Sequence, residues 1–96
     1  MSNIIYLKID LDIIDQGIIF HGEKAQQEIA IEEMAELVVQ ICKKWRRKST
    51  SKEEKEEAAD AIITIITFLR TANISVNDLN EEIQRKQKIF KGTIIS

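Results

Sequence analysis

Two pairs of acids, Glu33 with Glu36 and Glu57 with Asp60, fix most of what this chain can become. A helix advances about 100° per residue, so the members of each pair fall within roughly 60° of one another and share a stripe. The residues from Leu37 to Glu56 suffice to finish one helix, turn in a short loop and begin an antiparallel partner. Folded that way, the two pairs converge across a helical hairpin. Four carboxylates brought together repel unless a cation sits between them, and an oxygen-only donor set suits Mg²⁺ or Mn²⁺ better than zinc.

Composition agrees with helices. The chain has no proline, three glycines and few aromatics, and is rich in Ile, Ala, Glu and Lys, which points to an all-α protein. Its 96 residues make one small domain that buries a modest fraction of its surface, so oligomerisation to a dimer or tetramer is expected. A net charge of -2 gives no basis for a nucleic-acid or membrane-surface partner. The single cysteine, Cys42, excludes an internal disulfide and fits a reducing cytoplasm. Met1 to Ile5 lacks the basic start and apolar core of a signal peptide. The apolar run Ala61 to Leu69, broken by Thr64 and Thr67, is too short to span a membrane. The expectation is a cytoplasmic protein.

Four helices are expected, preceded by an arm over residues 1–9 that either meets a neighbouring subunit or forms a short extended piece. The first runs from about Asp10 to His21, with Gly17 a weak point inside it and Gly22 its stop. The second, about Glu23 to Arg47, has Ile31, Met34, Val38, Ile41, Cys42 and Trp45 as its expected buried face. A separate polar stripe on it holds Gln26, Glu33, Glu36, Gln40, Lys44 and Arg47. Ser51 and Glu54 form a capping box for the third helix. That helix is apolar almost all round from Ala58 to Leu69, which places it near a subunit interface. Asn73 stops it, Ser75 starts a fourth helix that ends near Gly92, and residues 93–96 form a tail.

The run Glu32-Glu33-Met34-Ala35-Glu36, followed after twenty residues by Glu57-Ala58-Ala59-Asp60, resembles the signature of the MazG-like all-alpha nucleoside triphosphate pyrophosphatases. The resemblance spans roughly Ile13 to Lys91. It implies a four-helix bundle completed by oligomerisation, with Glu33, Glu36, Glu57 and Asp60 as Mg²⁺ ligands. It also implies hydrolysis of a nucleoside triphosphate to the monophosphate and pyrophosphate. Glu32 is expected to add a ligand or hold the attacking water, and Gln26 to reach the site through the substrate. Lys44, Arg85 and Lys88 are the expected phosphate contacts, and Phe20 or His21 the aromatic that stacks on a base.

Two alternatives stand beside this reading. Phosphoribosyl-ATP pyrophosphatase, on the same fold, shares the Glu-Ala-Ala-Asp element. There the Asp leads into an aromatic-His pair, whereas Asp60 leads into Ala61-Ile62-Ile63-Thr64. The other is a non-catalytic helical module that mediates assembly, its acids being surface charge. Other chemistries lack parts: a lone His21 cannot supply the two Glu-x-x-His motifs of a di-iron bundle. No glycine-rich phosphate loop is present.

Overall fold

Local capping chemistry sets the helix boundaries. The Asp10 carboxylate accepts from the N–H groups of Asp12 (2.9 Å) and Ile13 (3.3 Å) and so opens α1, Leu11–His21. Gly22 ends it at φ 88°, a left-handed setting that disfavours any side chain. The computed structural model, which describes residues 3–95, continues with α2, Glu23–Trp45, α3, Ser51–Thr71, and α4, Val76–Ile95. No strand occurs among the described residues.

Three boundaries differ from expectation. Helix α2 stops at Trp45, two residues before the expected Arg47, which is left-handed at φ 57°. Three consecutive hydroxyl residues, Ser49 to Ser51, span the start of α3, and the cap is Thr50, one residue before the expected Ser51. The Thr50 hydroxyl accepts from the Glu53 N–H at 3.2 Å and donates to the Glu53 carboxylate at 3.0 Å. That leaves Glu54 to accept from the Ser49 hydroxyl at 2.9 Å and from Lys44 at 3.1 Å. At the other end of the chain, Gly92 does not take a left-handed conformation, so it does not stop α4. The helix runs on to Ile95, where a tail from residue 93 was expected; Ser96 lies outside the described residues. The remaining stops are as expected: Asn73 is left-handed (φ 56°) after α3. The Ser75 hydroxyl accepts from the Asp78 N–H at 3.0 Å to start α4.

Helices α1, α2 and α3 pack together, with α2 and α3 as an antiparallel hairpin. Among the described residues α4 packs on none of them, so a single chain does not by itself form the four-helix bundle. An ion pair holds α1 to α3: Arg70 grips Asp15 in bidentate fashion, Nε to Oδ1 at 2.9 Å and Nη2 to Oδ2 at 2.6 Å. Residues 3–9 of the arm have no regular secondary structure. Leu7, Lys8 and Ile9 line a groove with Lys55, Ala58, Ala59, Ile62 and Ile63 of α3.

Half of the buried residues among those described are polar: Gln40 of α2 and Thr64 and Thr67 of α3 are buried together with Ala61 and Leu69 of α3 and Ile14 of α1. The apolar stripe of α2 that was expected to be buried faces outward instead, with Ile31 73 %, Val38 60 %, Ile41 50 % and Trp45 83 % exposed. Hydrophobic periodicity shows that a face must be covered, and here this chain does not cover it. No helix among the described residues is long and apolar enough to cross a membrane.

Candidate metal-binding site in the helical hairpin

The three-residue spacing of each acid pair, together with the antiparallel hairpin, produces the convergence expected from helical geometry. Glu33 and Glu36 project from α2, Glu57 projects from α3, and one carboxylate oxygen of each lies within 4.8 Å of the others. Asp60, the fourth expected ligand, lies outside that set of three, though near enough for its charge to add to the effects of burial and Glu36 on Glu33.

The electrostatics are those of crowded anions. Burial, reinforced by the charges of Glu36, Asp60 and Glu57, lifts the Glu33 pKa above its ordinary value. Burial, with the charges of Glu36 and Asp60, does the same for Glu57. One oxygen of each of these two residues, Oε2 of Glu33 and Oε2 of Glu57, is buried without a hydrogen-bond partner. Buried acceptors of this kind cost free energy unless something positive meets them. Lys44 pairs with Glu54 at 3.0 Å and Lys43 with Glu53 at 3.6 Å, both at the closed end of the hairpin. Lys44 and the Ser49 hydroxyl together hold the Glu54 pKa below its ordinary value.

The remaining expected site residues are dispersed. Glu32 is exposed and outside the cluster of three carboxylates. Gln26 lies about two turns before Glu33, where its side-chain amide donates to the Gly17 carbonyl at 3.2 Å and so ties α2 to α1. It also lines a shallow cleft with Ala30, Thr67, Phe68 and Thr71. Because α4 packs on no other helix of the chain, Arg85 and Lys88 stand away from the acids. Arg85 is paired with Glu82 on its own helix. Phe20 and His21 meet edge-to-face, ring centroids 4.9 Å apart, at the end of α1, with Phe20 84 % exposed.

One residue of interest had no distinguishing signal in the sequence. Gln40, one turn beyond Glu36 on the same stripe, is 6 % exposed and its Nε2 has no partner. A glutamine on a polar stripe looks like a solvated side chain until the facing helix is placed.

The donors fit a hard divalent cation. They are all oxygen, they come from two helices that a rigid hairpin holds opposite each other, and two of their oxygens lack any other partner. No family model, curated protein or solved structure matches this chain.

Proposed function

We propose that the chain is a Mg²⁺-dependent nucleoside triphosphate pyrophosphohydrolase of the MazG-like kind, acting as a homo-oligomer and releasing a nucleoside monophosphate and pyrophosphate. The observation that supports this most is the meeting of the Glu33, Glu36 and Glu57 carboxylates within 4.8 Å, two of them with orphaned buried oxygens.

Glu33, Glu36, Glu57 and Asp60 would hold the metal, which Mn²⁺ could replace. When bound, it neutralises phosphate charge and lowers the pKa of a coordinated water. The protein's own part is positional. A triphosphate carries about four negative charges and cannot approach four bare carboxylates. The hairpin keeps these acids from relaxing apart, through the ion pairs Lys43 to Glu53 and Lys44 to Glu54 at its closed end. Glu32, about 100° round the helix from Glu33 and exposed, would add a ligand or hold the attacking water.

The test is release of pyrophosphate, rather than orthophosphate, from a panel of nucleoside triphosphates. Glu36→Gln and Asp60→Asn keep size and shape while removing one charge, and each is expected to lower the rate by about 10² to 10³. Circular dichroism should show both variants folded. Full activity in either, or in excess chelator, overturns the proposal. Release of pyrophosphate from phosphoribosyl-ATP alone, with no activity on ordinary nucleoside triphosphates, would redirect it to the neighbouring activity on the same fold. A second reading, a non-catalytic assembly module, draws on the exposed apolar stripe of α2. It predicts no saturable Mg²⁺ site in a titration.

A further inference from the structure

The outer apolar stripe of α2 consists of the exposed Ile31, Val38, Ile41 and Trp45 with the half-buried Met34. Their spacing alternates three and four residues throughout, the pattern of a helix seam that packs against another helix. The pattern is nearly symmetric about Val38. Ile31 and Trp45 lie equally far to either side of it, and Met34 and Ile41 lie about one turn to either side.

The charges of α2 are polarised along the same axis. Its N-terminal half holds Glu23, Glu28, Glu32, Glu33 and Glu36 against a single Lys24, and its C-terminal end holds Lys43 and Lys44, followed by Arg46, Arg47 and Lys48. A parallel pair of such helices would set acid on acid and base on base. An antiparallel pair sets each acidic half against a basic end. Glu28 and Arg46 are about five turns apart and therefore share one flank of the seam, on the side away from α3. Antiparallel pairing about Val38 brings Glu28 within one turn of the partner's Arg46, and the reverse pair forms by symmetry.

Surface area points to a partner of this size. The chain exposes 8291 Å², whereas a compact monomer of 11.1 kDa exposes about 5,700 Å². The excess of about 2,600 Å² is shared between the outer stripe of α2 and the undocked α4, and it leaves room for the roughly 1,000 Å² or more that each partner of an obligate homodimer buries.

We infer that a second copy of this chain covers the outer stripe of α2, by antiparallel α2–α2 pairing about a twofold axis at Val38. Ile31 then packs on the partner's Trp45, Met34 on the partner's Ile41, and Val38 on the partner's Val38. The seam lies roughly 110° round the helix from the side that faces α3, so the pairing leaves the acid cluster uncovered. The inference does not depend on catalysis and survives if the hydrolase reading fails.

The experiment reads mass, not activity. Wild-type protein at micromolar concentration is expected to sediment as a dimer or a multiple of one. Val38→Asp, at a position 60 % exposed in the single chain, should keep its helical circular dichroism while weakening self-association by about tenfold or more, because it buries opposed charges at the axis. Glu28→Arg and Arg46→Glu should each self-associate more weakly than wild type, since each brings like charges together twice. Mixed, the two variants restore both ion pairs. Native mass spectrometry with one chain isotopically labelled should show more heterodimer than chance mixing gives. A monomeric wild type, an assembly indifferent to Val38→Asp, or chance mixing of the charge variants would each overturn the inference. An interface built from α4 or from the arm would give the second and third of these results.

Discussion

Single residues in this chain act through very short distances, and Gly17 shows how such an effect can be isolated. It lies inside α1, where glycine is less favourable than alanine, and its carbonyl accepts from the Gln26 amide. A methyl group built there would meet Gln26 Nε2 at 3.8 Å, an ordinary contact. Gly17→Ala is therefore expected to stabilise the fold by about 0.5 to 1 kcal/mol, seen as a higher urea midpoint with an unchanged slope. Gly22→Ala should do the reverse, because φ 88° strains any side chain. At this scale the sequence was most informative about the acids, since a three-residue spacing on a helix leaves little freedom in where side chains point. It was silent on Gln40, whose burial depends on a neighbour forty degrees of helix arithmetic cannot supply, and on the engagement of Lys44 with Glu54, which depends on the exact end of the hairpin loop.

Among the elements, the start of α3 offers the sharpest comparison. Thr50, Ser51 and Ser49 are all residues that cap helices, and Glu53 and Glu54 both suit the third position of a helix. Sequence rules alone do not choose between the two registers. The structure does, through the Thr50 bonds to Glu53. Thr50→Ala should lower stability by about 1 kcal/mol, and Ser51→Ala, in the first turn, by no more than about a few tenths. Thermal unfolding of both variants would decide it, and equal losses would contradict the assigned cap. Helix existence and most ends were legible because Asp10, Gly22, Asn73 and Ser75 have specific backbone chemistry. Which face of α2 looks inward was not. Its apolar stripe is the stronger signal, yet the polar stripe packs against α3, because periodicity identifies a surface to be covered without saying by which chain.

At the scale of the whole molecule, the titrating groups pull in opposite directions. Glu33 and Glu57 have folded pKa values raised by burial and by one another's neighbours. Their contribution to stability is complete below the unfolded value and is lost as pH rises through the folded one. Asp15 is lowered by its hydrogen bonds with Arg70, Glu54 by Lys44 and Glu82 by Arg85. Their contribution is present above the unfolded value and is lost as pH falls through the folded one. The metal-free protein is thus expected to be most stable in weakly acidic solution and to lose Tm as pH rises above the ordinary carboxylate range. Saturating Mg²⁺, or Glu57→Gln, should flatten that decline. A Tm that climbs over the same rise in pH without metal would refute it. The hairpin that gathers these charges forms from near neighbours in the chain: its two helices are joined only by the turn from Arg46 to Thr50, and contacts local in sequence form early. Like charges are forced together as the hairpin closes, which makes their repulsion a kinetic barrier on the way in. Neutralising one acid should quicken refolding and leave the unfolding rate nearly unchanged, so that an excess of negative charge would set how fast the chain arrives at its native state rather than how long it stays there.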